Sequence, residues 1–412
     1  MAGSDAENDP SRFAATFACL GHRQFRLLWL GAICTWVGSQ MQMVARGYLA
    51  YELTSSPMIL GIVSAGFAIP MLGLSLFGGA IADRWDRRRV IQVCQALAAA
   101  TSLAVAAAIL TGAISWVHLF FASAVQGAVF SFLVPSRQSI IPSIVGNDLL
   151  GNAVALNTAA FSTTTLVAPA IAGTLYAWVG PGGVYVIMAG LQALAVIFTH
   201  LMRPDLSDNS APVATMGGQI KDGLRYVMSN HLIKVLLVIA LGMTLLAMPF
   251  RFVMPVFVVE LYQRGPESLG LLVSLMGLGS VIGSLFVAYV GAWRRGVTLL
   301  LGALVSGIAL LLVAALPWFA VAVVVMIALG VGDALRRSLT MAMLMEETKD
   351  GFQGRVMSLY TMNFGLMPLG TLPVGAVSEW LSVQVAVGGQ AILLILMALW
   401  LMFRERDLRK MA

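Results

Sequence analysis

Three charged residues stand inside long apolar stretches: Arg46, Arg251 and Asp333. A charge in such a place costs about 3 kcal/mol or more and marks function by default. Asp333 is the only acidic residue well inside a stretch, so it is a candidate to take up and release a proton, which burial would favour by raising its proton affinity. Arg336 and Arg337 follow it at helical pairing distance, and a salt bridge there would instead hold the carboxyl ionised. Both roles stand open on the sequence. Glu52 and Glu260, a turn or two beyond the two arginines, are the further candidates for proton coupling. Arg46 and Arg251 serve either as functional cations or as snorkelling anchors to the headgroups. Arg46 and Glu52 cannot pair along one helix, because six residues turn it by about 240°.

The elements that carry these charges are membrane helices. Hydrophobic residues make up 59% of the 412 and charged residues 11%, with a mean hydropathy of +0.88, more apolar surface than a soluble chain could bury. Twelve apolar runs are each long enough, at about 20 residues, to cross a hydrocarbon core of about 30 Å. Short basic clusters fall at every second gap between them, placing 22 of the 25 Lys and Arg on one side. By the excess of positive charge in cytoplasmic loops, both termini are expected in the cytoplasm. The net charge of +6 belongs to this topology and to anionic lipid, not to nucleic acid. Trp116, Trp178, Trp318 and Trp380 at one boundary and Trp29, Trp293 and Trp400 at the other read as interface anchors. Cys19, Cys34 and Cys94 lack metal-ligand spacing and no disulfide is expected. The four histidines lie at span ends without partners for a metal or a nucleophile, and no Gly-x-x-x-x-Gly-Lys loop is present. The chain therefore does not read as an enzyme, and no cofactor or metal is expected.

The expected organisation is a cytoplasmic tail (1–24), a six-helix bundle (25–202), a cytoplasmic linker (203–232), a second six-helix bundle (233–403) and a tail (404–412). Within the linker, Ile220, Leu224, Val227 and Met228 recur at helical spacing, which fits an amphipathic helix on the membrane surface or an ordinary solvated one. A weak repeat relates the halves. Arg46, Glu52-Leu53 and Pro57-Met-Ile-Leu60-Gly61 are matched by Arg251, Glu260-Leu261 and Pro266-Glu-Ser-Leu269-Gly270. Two six-helix halves related by an axis along the membrane normal are an arrangement of secondary transporters.

Between the second and third stretches lies Gly79-Ala-Ile-Ala-Asp83-Arg84-Trp-Asp86-Arg87-Arg88-Arg89. It resembles the Gly-x-x-x-Asp-Arg-x-Gly-Arg-Arg signature of major facilitator transporters, departing at Asp86, where a left-handed backbone tolerated by Asp would preserve the turn. Val134-Pro135-Ser-Arg137 through Ala168-Pro169-Ala-Ile-Ala-Gly173, and Gly354-Arg355 through Pro368-Leu-Gly370, are similar to the bacterial drug:proton antiporters and to the enterobactin and macrolide exporters. The resemblance implies an all-α membrane fold of twelve helices in two pseudo-symmetric bundles. It also implies a bacterial inner-membrane carrier that exports a small amphipathic molecule, drug-like or siderophore-like, in exchange for protons and as a monomer; a proton-coupled importer or facilitator of a small metabolite is the alternative.

From the resemblance, Gly79, Asp83, Arg84, Arg87 and Arg88 form the conformational motif that braces one half against the other. It also places Arg46 and Arg251 at the cavity or outer gate, paired with Glu260 and Glu52 across the halves. Gln40, Tyr48, Gln126, Asn157, Phe250, Tyr360 and Asn363 complete the expected cavity and gate. Apolar walls with scattered hydrogen-bonding groups suit amphipathic compounds better than sugars or ions.

Overall fold

The computed structural model describes residues 17–146, 148–203, 225–290, 294–349, 352–405 and 408, with the side chains at 76–84, 290, 354, 358, 361 and 364 left aside. Most of the described chain is helical. In a hydrocarbon environment every backbone group must be satisfied within its own segment, and a helix does so.

The helices are α1 (Arg23–Thr54), α2 (Pro57–Arg84), α3 (Arg87–Leu110), α4 (Trp116–Val145) and α5 (Leu150–His200) in the N-terminal half. The C-terminal half holds α6 (His231–Leu246), α7 (Phe250–Val256), α8 (Pro266–Val290), α9 (Arg295–Ala315), α10 (Phe319–Glu347), α11 (Gln353–Leu366), α12 (Thr371–Trp380) and α13 (Val383–Arg404). Among the described residues nine helical segments are long and apolar enough to span a membrane. One of them, α5, would be about 76 Å long if straight. It is folded at Gly180, whose φ of +70° is open to glycine at little cost, with Pro181 following. Its two arms, residues 150–179 and 181–200, therefore pass separately. Together with α1 and the broken pair α11–α12, this gives the twelve passes read from the sequence.

Two passes are broken near their middle or end, and both breaks have a cause. Pro249 separates α6 from α7, and α7 runs through Pro255 into a π-turn at Phe257–Leu261. Pro368 lies in a 3-10 turn, Met367–Gly370, between α11 and α12. Packing repeats between the halves: α2 lies on α4 as α8 lies on α10. Across the halves α5 meets α8, and α2 meets α12.

Most of the amphipathic linker segment lies outside the described residues; its end, 225–229, is helical, with Val227 buried and Met228 exposed. Trp178, Trp318, Trp380 and Trp400 are exposed, as interface anchors require. Trp116 packs against the core instead, and Trp29 donates Nε1–H to the Leu156 carbonyl at 3.3 Å. Trp293 lies outside the described residues.

Candidate functional site

The interior charges gather in two places. In the C-terminal half, α10 carries Asp333 near its middle, with both carboxylate oxygens engaged: Oδ1 with Arg336 Nη2 at 2.7 Å and Oδ2 with Arg337 Nε at 3.1 Å. These are the i,i+3 and i,i+4 partners that helical spacing offers. Arg337 also donates through Nη2 to Ser280 Oγ of α8 at 2.8 Å. Arg251, from α7, stands within electrostatic reach of Asp333 and Arg337, and its buried Nε has no hydrogen-bond partner. Tyr360 of α11 is buried beside Arg336, and Asn363 is buried one turn further on. Three guanidinium groups thus share one carboxylate.

In the N-terminal half, Arg46 is buried and donates through Nη1 to Gln126 Oε1 of α4 at 2.6 Å. Gln126 joins Ser39, Gln42, Thr101 and Gln192, with Val125, Val129 and Phe130, around a small cavity between α1, α3, α4 and the second arm of α5. A polar chain adjoins it, in which Gln95 bridges Thr35 at 3.2 Å and Thr199 at 2.9 Å. Gln40 is half-buried, and the buried Asn157 Nδ2 has no partner. Phe250 is buried and packed edge-on against Phe257, centroids 5.3 Å apart, in a core that draws on both halves.

The expected cross-half pairs of Arg46 with Glu260 and of Arg251 with Glu52 are not formed. Tyrosines take the carboxylates instead: Tyr51 donates to Glu260 across the halves, and Tyr176 donates to Glu52 at 2.6 Å within one half, with the Tyr48 ring edge-on to Tyr176. Arg46 sits five residues, or about 7.5 Å, deeper along α1 than Tyr51, and reaches sideways to α4 rather than along the helix. A phenol satisfies a carboxylate without desolvating a second charge.

Tyr51–Glu260 belongs to a clamp at the end of the bundle where α1 stops and α2 begins. Ser56 Oγ donates to Glu379 Oε2 at 2.8 Å, the Met58 amide reaches the same oxygen at 3.3 Å, and Thr371 Oγ1 donates to the Gly61 carbonyl at 3.3 Å. On the neighbouring seam the Ala170 amide donates to Ser274 Oγ at 2.9 Å. The backbones approach so closely that a Cβ on Gly173 would stand 3.0 Å from Gly270 Cα, and one on Gly375 would stand 2.7 Å from the Pro57 carbonyl oxygen.

At the start of α3, Asp86 accepts from the Arg88 amide at 2.9 Å as an N-cap and pairs with Arg89 at 3.5 Å. Its φ of −57° corrects the expected left-handed turn: a carboxylate that caps a helix has no need of that backbone. Arg87 donates to the Ser139 carbonyl at 3.1 Å, and Arg88 to the Thr199 and His200 carbonyls at 3.1 and 2.6 Å, all within the N-terminal half. The helix α2 carries Gly79, Asp83 and Arg84 at its end, where backbone alone is described.

Arg137, Arg336 and Arg337 are among the 22 basic residues that the sequence places on the cytoplasmic side, and the structure corrects this: Arg336 and Arg337 lie inside α10, and Arg137 inside α4. The helix α4 continues through Pro135 and Pro142 to Val145, so Arg137 lies about 12 Å inside its end, buried over the Trp36 ring at 5.3 Å. Its Nε and Nη2 have no hydrogen-bond partner. Tyr51 and Tyr176 were missed, although Tyr48 was named, because which tyrosine meets a carboxylate depends on the helix faces brought together.

Known proteins resemble the chain over nearly its whole length. The family model described as transmembrane secretion effector matches residues 14–411. The multidrug efflux pump Tap of Mycolicibacterium fortuitum is 24% identical over 71% of this chain and 73% of its own. The enterobactin exporter EntS of Shigella boydii is 24% identical over 82% of this chain and 81% of its own. In fold, a bacterial homologue of the lysosomal transporter Spinster, solved inward-facing and unoccupied, superposes with a TM-score of 0.76 at 12% identity, covering 97% of this chain and 98% of that one.

Proposed function

Because the chain belongs to the transmembrane secretion effector family of major facilitator transporters, and is a multi-pass membrane transporter rather than an enzyme, we propose that it exports a small amphipathic molecule, drug-like or siderophore-like, by exchange for protons. The membrane is the bacterial inner membrane, both termini are cytoplasmic, and the working unit is a monomer. Residues 25–202 and 233–403 rock about a central path. The observation that carries this reading is the pairing of a buried ionic cluster at mid-depth with a clamp of hydrogen bonds between the halves at one end. With the N-terminus inside, the clamped end is outward, and the protein is in an outward-closed state.

Arg46, Gln126, Arg251, Tyr360 and Asn363 then line the solute path, and Glu52 and Glu260 belong to the outer gate. Asp333 carries the proton or holds Arg336 and Arg337 in place; Glu52 or Glu260 is the coupling group if Asp333 only holds. Gly79, Asp83, Arg84, Arg87 and Arg88 set the balance between states, and Arg88 donates to the Thr199 and His200 carbonyls of its own half.

Uptake into inverted membrane vesicles tests this reading, using labelled siderophores and lipophilic drugs with and without an acid-inside gradient. Gradient-driven accumulation is expected; accumulation with the gradient reversed would favour proton-coupled import. Arg46→Ala removes a buried charge-assisted hydrogen bond to Gln126 worth about 3 kcal/mol and is expected to lower that uptake by about a hundredfold; Arg251→Ala removes the unpaired cation beside Asp333 and is expected to lower it as well. Normal uptake by both would remove them from the path. Glu260→Gln exchanges a charged hydrogen bond for a neutral one, worth about 1 kcal/mol. It is expected to raise labelling of Ser56→Cys by an impermeant maleimide from outside about fivefold, and unchanged labelling would take Glu260 out of the gate.

A further inference from the structure

The charge inside the C-terminal half does not balance. Both oxygens of Asp333 are taken by Arg336 and Arg337, so the third guanidinium, Arg251, is left with a buried Nε and no hydrogen-bond partner. The Nε of Arg336 is likewise buried without one. Three cations around one carboxylate leave an excess of two positive charges at mid-membrane depth. The other half adds to it: Arg137 is buried with two guanidinium nitrogens unpartnered, facing Trp36 at 5.3 Å. Holding a cation in a poorly hydrated interior without a counter-charge is unfavourable, and a ligand that supplies the missing negative charge is bound by that same free energy. A neutral solute leaves the imbalance as it was, and a cationic one increases it. Arg337 is the open side of the cluster, its side chain 36% exposed against 5% for Arg336, so an entering group reaches it without disturbing the Arg336 pair.

We propose that the transported solute is an organic anion, with its carboxylate or equivalent group bound between Arg251 and Arg337 of the C-terminal half. The planar guanidinium of Arg251 offers two parallel donors to such a group, which gives direction as well as charge, and Arg337, whose Nε and Nη2 already serve Asp333 and Ser280, adds its remaining Nη1. Arg137 over Trp36 is a second cationic position in the opposite half, suited to a further acidic group or to an aromatic part of the same molecule stacked at the indole.

This inference rests on the transport reading, and a charge-matched set of probes separates the two. Dansylglycine is anionic, dansylglycinamide neutral and dansylcadaverine cationic, on one apolar body. Binding to the purified full-length protein in nanodiscs is measured by fluorescence anisotropy, and movement into inverted vesicles by dye retention. The anion is expected to bind about tenfold more tightly than the amide, the ratio a charge-assisted hydrogen bond supplies. Arg251→Gln and, independently, Arg337→Gln are expected to bring that ratio to about one, while Arg251→Lys keeps part of it. Binding of none of the three, equal or tighter binding of the amide or the cation, or a ratio unchanged in both glutamine variants would overturn the assignment. Movement of all three without preference would overturn it too and leave transport standing; anion preference in binding with no movement of any would keep the site and count against transport.

Discussion

Asp333→Ala is expected to abolish transport and to lower stability by about 3–5 kcal/mol, the cost of stripping a buried ion pair of one partner. Arg336 and Arg337 each lose a carboxylate oxygen at 2.7 and 3.1 Å, and Arg251 loses the one negative charge near it. The loss is read as a fall in thermal unfolding temperature of the purified protein alongside vesicle uptake. Asp333→Asn separates the two roles open to this residue. It keeps the shape and one acceptor oxygen for the two arginines, but it carries no charge and cannot exchange a proton. A proton carrier would lose gradient-driven uptake while keeping solute exchange at equal pH, whereas a purely structural partner would lose both together. Full uptake and an unchanged unfolding temperature in Asp333→Ala would deny the cluster any part in function.

Gly270→Val and Gly173→Val are expected to trap the protein with its clamped end open. In the closed seam a Cβ at either position stands 3.0 Å from the other glycine's Cα, and backbone on both sides cannot give way as a flexible side chain would. Overpacking of this kind costs about 1–3 kcal/mol or more, and it acts on the closed state alone. The population of the opened state then rises about tenfold to a hundredfold. Impermeant maleimide labelling of Ser56→Cys from outside is expected to rise accordingly while transport falls. Unchanged labelling in both valine variants would mean that the seam does not separate.

The fold was largely legible, and for a physical reason. Runs of about 20 apolar residues and the one-sided basic clusters are imposed by the bilayer, which acts on composition rather than on contacts. The breaks were not read from the sequence: Pro249 and Pro368 interrupt their passes, while Pro135 and Pro142 are absorbed within α4. That absorption carries Arg137 into the interior, where counting it as a loop cation had hidden it. Arg46, Arg251 and Asp333 were visible as charges in apolar runs, and the i,i+3 and i,i+4 partners of Asp333 follow from helical geometry alone. The partners of Glu52 and Glu260 were not visible. They depend on which helix faces come together, a tertiary matter, and Tyr51 meets Glu260 from 209 positions away. Asp86 shows the same limit on a smaller scale, since its departure from the motif is answered by a helix cap that the motif does not contain.

The central claim is that the two halves must separate at the clamped end for solute to pass. The Ala170 amide and Ser274 Oγ are 2.9 Å apart across that seam, which places a cysteine pair there within reach of a disulfide or a short cross-linker. The measurement is gradient-driven uptake into inverted vesicles by Ala170→Cys/Ser274→Cys, with Cys19, Cys34 and Cys94 replaced by serine. Oxidation is expected to stop uptake and reduction to restore it; uptake that continues at the full rate through the cross-linked protein would contradict the account.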